Sequence, residues 1–318
     1  MSNVARSIAV FGYGAVGRAL TEALTARGDG VRVVQRSAPS NLPKGATFQA
    51  AGASDGASIG RACSGVETVV CCTGFPYRSD VWRQQWPALM RALLDGCTAS
   101  GARFVFADNL YMYGPQTRPL TEDMPLTSYG RKPAIRAEIT RLWQRAHEEG
   151  RVRAVAVRAA DFYGPDCANS VVSAYGVAKF VAGGPALVPY PPDRLHDFTY
   201  VPDFARALVS LIDADDDAYG QAWHVPNAPT RTLRDILTRA AELAGVTPRI
   251  TVLPQPLLPL VGFFNRQVGE LVEMRFQWDR PYVVDASKFG ARFWADASPF
   301  DEGLTATIRS YRAALAAS

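Results

Sequence analysis

A doubly wound α/β fold, with a parallel sheet and a smaller C-terminal substrate lobe, is predicted for this chain by three observations. Short apolar runs alternate with amphipathic stretches through the first half, and a glycine-rich turn joins the first run to a helical pattern. Beyond Gly164-Pro165 that alternation gives way to irregular spacing rich in Pro, Gly and aromatic residues. Continuous apolar strands separated by amphipathic helices are what a sheet buried on both faces requires.

The first strand, residues 8–11, breaks into Gly12-x-Gly14-x-x-Gly17 and continues as a helix over 15–27. This strand-to-helix context is that of a Rossmann-type dinucleotide turn. Gly12 makes the turn, Gly14 lets a pyrophosphate approach the backbone, and Gly17 lets the helix pack on the sheet. The second strand, 31–34, ends in Gln35-Arg36-Ser37. An NAD-preferring turn usually carries an acid there for the ribose 2′-hydroxyl. A guanidinium followed by a hydroxyl suits a 2′-phosphate instead, so NADP(H) is the expected cofactor, with NAD the alternative. The bland reading of Arg36 is a solvated surface residue.

Strands at 68–72, 104–106 and 152–157 and helices at 81–100 and 132–149 complete the pattern. The expected division is a dinucleotide-binding domain over 1–165 and a mainly substrate-binding lobe over 166–318, with 197–225 returning to the first domain. In such a sheet, ligands sit at the carboxyl ends of the strands, here in the cleft beside the C-terminal lobe.

The chain has 318 residues, a formal charge of +4 and 20% charged residues, and its basic residues are scattered, which argues against nucleic acid as a partner. Lysine occurs only at Lys44, Lys132, Lys179 and Lys288. Cys71 and Cys72 lie in an apolar run while Cys63, Cys97 and Cys167 are far apart, giving neither a disulfide framework nor metal spacing. His147, His196 and His224 are dispersed and read as structural or surface residues. A reducing cytoplasm fits these thiols. No export signal is expected, and no apolar stretch reaches the roughly 18 residues that a membrane span needs. The Pro-rich apolar segment 253–264 reads as a loop and helix start over a pocket or interface.

Several segments resemble the extended and atypical short-chain dehydrogenase/reductases, the NAD(P)-dependent epimerase/dehydratase group. They are the glycine turn, Thr73-Gly74, Asn109-Leu-Tyr-Met-Tyr-Gly-Pro115, Pro119-Leu-Thr-Glu-Asp123, Arg158 through Tyr163-Gly164-Pro165, Asp197-Phe-Thr-Tyr-Val-Pro-Asp203 and Gly220 through Asn227. The resemblance runs almost end to end. It implies hydride exchange with a nicotinamide that Gly12, Gly14, Gly17, Arg36, Ser37 and Thr73 hold, and a homodimer is possible by the same analogy.

The resemblance also implies a Tyr-x-x-x-Lys pair with a hydroxyl residue, in which the tyrosine moves the proton. Tyr129 matches the tyrosine, but the fourth residue after it is Pro133 and the nearby amine is Lys132. Proline favours a first helical turn, which places Tyr129 ahead of the helix. The hydroxyl position holds Asn109, whose amide orients an oxygen without sharing a proton in the same way. Tyr129, Lys132 and Asn109 are the catalytic candidates, with Tyr111 and Tyr113 as alternative proton donors; for Tyr129 the other reading is a pocket-wall or surface tyrosine.

Where sugar-nucleotide members offer an Asn to the substrate, this chain has Asp161, and a carboxylate would repel a diphosphate. Phe75, Tyr77, Tyr111, Asp161, Phe276 and Trp278 are the candidate pocket residues, with Trp82, Trp86 and Tyr282 nearby, and such a set suits a compact apolar or aromatic substrate. For any one of the aromatics the alternative is a place in the core. Asp197 and Asp203 read as anchoring residues.

The leading expectation is therefore an NADP(H)-dependent oxidoreductase acting on a small carbonyl or alcohol. Two alternatives stay open: an epimerase or dehydratase that retains NAD(P), and a non-catalytic NADP(H)-binding sensor.

Overall fold

The computed structural model describes residues 5–254 and 266–317, so most of the Pro-rich stretch 253–264 lies outside the described residues. The chain divides into two compact units. The first comprises Met1–Met112, Leu126–Arg158 and Phe204–Trp223; the second comprises Tyr113–Pro125, Ala159–Asp203 and His224–Ser318.

In chain order the first unit contains β1 (Ser7–Phe11), α1 (Ala15–Ala26), β2 (Gly30–Gln35), β3 (Ala46–Ala50), α2 (Gly56–Cys63), β4 (Thr68–Cys71), α3 (Ser79–Ser100), β5 (Arg103–Asp108), α4 (Lys132–Glu148) and β6 (Ala154–Arg158). The sheet runs in the order β11–β6–β5–β4–β1–β2–β3, where β11 is Ala222–His224. Every pairing from β3 through β6 is parallel, with Phe11 opposite Cys71, Cys71 opposite Phe106 and Asp108 opposite Arg158. That register aligns the carboxyl ends of β1, β4 and β5 along one edge, as ligand binding at a doubly wound sheet requires.

Both faces of the sheet are apolar: Ala9, Val69, Phe104, Phe106 and Ala156 on one face are fully buried in a core with Trp86, Leu93, Ile139 and Trp143 of the flanking helices, and Ile8, Val10, Val70, Val105 and Val155 on the other are fully buried as well. The edge strand β3 and the eight-residue α2 are additions to the sequence pattern. ATFQA shows no continuous apolar run, and GASIGRAC is short and carries two glycines and a serine, which lower helix propensity, so neither stands out by periodicity.

The second unit holds short elements: β7 (Asp161–Tyr163), α5 (Ala178–Val181), β8 (Ala186–Val188), β9 (Leu195–His196), β10 (Phe198–Tyr200), the start of α6 (Val201–Asp213), β12 (Arg231–Thr232), α7 (Leu233–Ala244), β13 (Ile250–Val252) and a helix over Phe300–Ala317. β7 and β10 pair in parallel, β9 and β12 antiparallel. Its own core joins Phe180, Phe198, Leu237 and Leu304. Thr232 and Asp235 form a reciprocal capping box at the head of α7. Asp203 accepts hydrogen bonds from the Ser298 amide at 2.8 Å and hydroxyl at 2.9 Å, fixing the first turn of α6 to the chain around 298.

Candidate active site

The glycine turn is built to leave one side open. Gly12 has φ of 93°, which an L side chain rarely adopts, and a Cβ there would lie 2.8 Å from Cys72 O. At Gly17 a Cβ would come within 2.0 Å of Gly12 O, so the start of α1 packs directly beneath the turn. Gly14 differs: a Cβ placed on it would meet nothing within 4 Å. It is also the N-cap of α1, it supplies no capping side chain, and the first turn carries no acid. The unpaired amides and positive dipole end of a 12-residue helix thus face open space, a setting that fits a dinucleotide pyrophosphate.

Around this turn, Gly12 N donates to Val34 O at 2.9 Å, and Thr73 Oγ1 donates to Phe11 O at 3.2 Å from the end of β4. Gln35 occupies the end of β2 with both halves of its amide engaged, accepting from Tyr13 N at 3.2 Å and donating to Ser37 O at 2.8 Å. The strand end itself reads Gln35-Arg36-Ser37 and carries no acid, and Arg36 and Ser37 are exposed. Tyr13 donates its hydroxyl to Asn41 O at 3.0 Å, and the Arg18 guanidinium sits 5.6 Å from its ring. Burial pushes the Tyr13 phenol up, opposed by Arg18, so it remains a donor.

At the end of β5 the sequence pattern FVFAD closes on a buried charge. Asp108 accepts from Arg136 of α4 and from Arg158 Nε of β6 at 3.4 Å, and all three side chains are at most 3% exposed. Arg136 lies 4.5 Å from the Trp86 ring centre and 5.0 Å from that of Phe106. The same carboxylate accepts from Asn109 N at 2.8 Å, while Asn109 Oδ1 accepts from Tyr111 N at 3.1 Å. With its oxygen used, Asn109 offers its NH2 as a hydrogen-bond donor.

Tyr129 lies in the loop before α4, 42% exposed, with Gly130 at φ of 60° between it and the helix. Lys132 opens α4, with Pro133 in the first turn, and is fully buried with Nζ 4.6 Å from the centre of the Tyr77 ring. Phe75, Tyr77 and Tyr111 are half-buried and pack edge-on or stacked against Trp82 and Trp86. The first unit therefore brings Asn109, Tyr111, Lys132, Phe75 and Tyr77 into one aromatic, cation-bearing neighbourhood at the sheet edge.

The other candidates belong to the second unit. Tyr113 is buried and shares a 2.8 Å hydrogen bond with His224 Nε2, while His224 Nδ1 faces Asp285 O at 3.1 Å; the backbone acceptor places the imidazole proton on Nδ1, so the Tyr113 hydroxyl donates to Nε2. Phe276 is buried. Trp278 stacks on His196 and lines an open cavity of about 380 Å³ with Tyr190, Arg194 and Arg275. Asp161 pairs with His196 Nε2 at 3.0 Å.

Asp108, Arg136 and the pairing of His196 are what reading the residues alone did not single out. One signal was available for the arginine: it recurs on the apolar face of α4 with Ile135, Ile139 and Trp143, where a charge needs a partner.

Three solved structures illustrate the fold. The UDP-glucose 4-epimerase of Thermus thermophilus, in complex with NAD, superposes with a TM-score of 0.78 at 21% identity, covering 97% of this chain and 99% of that one. The UDP-glucuronic acid 4-epimerase of Bacillus cereus, with UDP-glucuronic acid and NAD, gives 0.79 at 15% identity and the same coverage. The dTDP-glucose 4,6-dehydratase of Bacillus anthracis, with NAD, gives 0.78 at 16%, covering 97% of each chain. No curated protein matches the chain. The model of the NAD dependent epimerase/dehydratase family matches residues 8–225, more than two thirds of the sequence, and the chain belongs to that family.

Proposed function

We propose that this enzyme holds a nicotinamide dinucleotide on the turn from Gly12 to Gly17 and works at a hydroxyl-bearing carbon of a small-molecule substrate, as an epimerase or dehydratase that retains its cofactor. The observation that carries this reading is the contrast between Gly17, which packing forbids to be anything larger, and Gly14, which is free of neighbours above an uncapped helix end. A nicotinamide held there would supply a reversible hydride acceptor.

The protein's own residues supply the rest. Gly12, Gly14 and Gly17 cradle the pyrophosphate, and Thr73 closes the turn from β4. Asn109, held by Asp108, donates to the substrate oxygen and steadies charge on it. Tyr129 exchanges the hydroxyl proton with substrate, and Lys132 provides fixed positive charge at the head of α4. Phe75, Tyr77 and Tyr111 form an apolar wall that excludes water. Five free thiols suit a reducing compartment, and we assign the chain to the cytoplasm on that ground.

For the cofactor we infer NADP(H). Gln35 is engaged in place of an acid, and Arg36 with Ser37 is exposed for a 2′-phosphate. That same feature favours a second reading, net reduction of a small carbonyl compound by an exchanging NADPH.

The test is to denature the purified protein, identify the released dinucleotide by mass spectrometry, and titrate stripped protein with NAD⁺ and NADP⁺. A dinucleotide retained near one per chain supports the first reading. Ready exchange with net absorbance change on small carbonyl compounds favours the second, and absence of binding to the stripped protein refutes both.

A further inference from the structure

Residues 36–45 connect β2 to β3 without helix or strand, and Arg36 and Ser37 stand exposed at the start of that connection. Tyr13, between the first two glycines of the turn, holds the connection at two points. Its backbone N donates to Gln35 Oε1 at 3.2 Å, and the other end of that amide, Nε2, donates to Ser37 O at 2.8 Å. Its hydroxyl donates to Asn41 O at 3.0 Å. These bonds and the chain from Ser37 to Asn41 form a closed circuit that begins and ends on Tyr13.

Backbone bonds fix the anchor of the circuit. Gly12 N donates to Val34 O at 2.9 Å and Ala51 N donates to Gln35 O at 3.0 Å, which ties the turn and the end of β2 to their neighbours. Tyr13 is buried, and the Arg18 guanidinium, from the first turn of α1, sits 5.6 Å from the centre of its ring, within cation–π range.

NADP(H) differs from NAD(H) in the 2′-phosphate on the adenosine ribose, and Arg36 with Ser37 is the part of this region suited to it. An exposed arginine on a loose loop gives up backbone and side-chain freedom when it takes a phosphate, and that loss is subtracted from the contact. A loop already fixed at residues 37 and 41 avoids much of it. The residue that fixes the loop therefore sets the difference between the two coenzymes without touching the phosphate.

We propose that Tyr13 is a specificity-determining residue, which positions Arg36 and Ser37 for the 2′-phosphate of NADP(H) through its hydroxyl on Asn41 and its backbone amide on Gln35. This rests on the reading above, that the turn holds NADP(H). A tyrosine that only propped up the glycine turn would serve both coenzymes alike, since both carry the pyrophosphate.

The experiment is fluorescence titration of the stripped protein with NADPH and NADH, in wild type, Tyr13→Phe, Arg36→Ala and the double variant. Tyr13→Phe deletes the bond to Asn41 and keeps the ring. It is expected to weaken NADPH by about three- to tenfold and to leave NADH within about twofold, the range that one net hydrogen bond covers. In the Arg36→Ala background the same substitution is expected to cost NADPH less than about twofold, because the charged group it positions is gone. Gln35→Met cuts the other arm of the circuit, is expected to lower the NADPH preference in the same direction, and takes the place of Tyr13→Phe if that variant does not melt like wild type. Equal losses for the two coenzymes, or losses that multiply in the double variant, overturn the proposal. Equal affinities in wild type refute the NADP(H) assignment and this inference with it, whereas a wild-type preference that Tyr13→Phe retains in full refutes this inference alone.

Discussion

Arg136 donates to Asp108 inside the first unit, where 3% of the guanidinium side chain and none of the carboxylate is exposed. The carboxylate also receives Arg158 and the Asn109 amide, so one buried acid ties α4 and β6 to the loop that presents a catalytic candidate.

Removing one partner of a buried ion pair leaves a charge with no compensation, at a cost of ~3–5 kcal/mol. Arg136→Met is therefore expected to lower stability by about 3 kcal/mol, with a smaller loss for Arg136→Lys, which keeps the charge but not the fork. Urea unfolding measures both. A methionine variant within about 1 kcal/mol of wild type would show that Arg158 alone suffices for Asp108.

The two glycines of the turn separate folding from binding. Gly17→Ala would put a Cβ 2.0 Å from Gly12 O and is expected to cost several degrees of melting temperature or to prevent folding. Gly14→Ala, with nothing within 4 Å, is expected to melt like wild type yet bind dinucleotide at least about tenfold more weakly, because the methyl occupies the approach path. Thermal melts paired with cofactor titration distinguish the cases. Equal affinity for Gly14→Ala and wild type would remove the turn from the binding site.

Gly12 and Gly17 could be read from the chain because the backbone dictates the residue type: a turn at φ of 93° at the first and a helix start packed against that turn at the second admit little else. The strands β1, β2, β4, β5 and β6 were equally plain, since a sheet covered on both faces leaves unbroken apolar runs. β3 and α2 were hidden by their composition. The ion pairs were hidden by distance along the chain. Asp108 meets a partner 28 residues away in Arg136, and Asp161 meets His196 35 residues away. Neither separation follows from local periodicity; it is set when β5 and α4 come together, or when the pairing of β7 with β10 brings His196 of the preceding β9 to Asp161. The assignment of Tyr113–Pro125 to the second unit is of the same kind.

For the cofactor, NADPH is expected to bind more tightly than NADH, and Arg36→Ala to narrow the ratio by about tenfold by weakening only NADPH. Arg36 is exposed, so its removal leaves the melting temperature in place. Fluorescence titration of reduced cofactors gives the ratio directly. Equal affinities in unmutated protein would rule out the 2′-phosphate assignment.

Asp197 gives the pH dependence a sign. Burial pushes its carboxyl above the ordinary 3.8, against the lowering effect of Thr230 and of Val284 N, which donates at 2.7 Å. As pH rises past 3.8 the unfolded chain releases this proton first, so stability falls until the folded-state value is passed and is level above it. Urea midpoints between about pH 4 and pH 7 are expected to decline less in Asp197→Asn than in wild type. Parallel curves would mean that Asp197 ionises alike in both states.

Tyr129 is the most direct test of the chemistry. The residue is 42% exposed and precedes α4, so Tyr129→Phe removes a hydroxyl without opening the core and is expected to change stability by under about 0.5 kcal/mol. If the phenol moves the substrate proton, turnover falls by about 10²–10⁴-fold while cofactor affinity is retained. Lys132→Met behaves differently, because Lys132 is buried with its ammonium over Tyr77, and it is expected to lose stability and turnover together. Steady-state rates with cofactor binding and melting on the same preparations separate these outcomes. Full turnover in Tyr129→Phe would transfer the proton to another group, and Tyr111, half-buried on Trp82 and next to Asn109 in the same loop, is the hydroxyl to replace next.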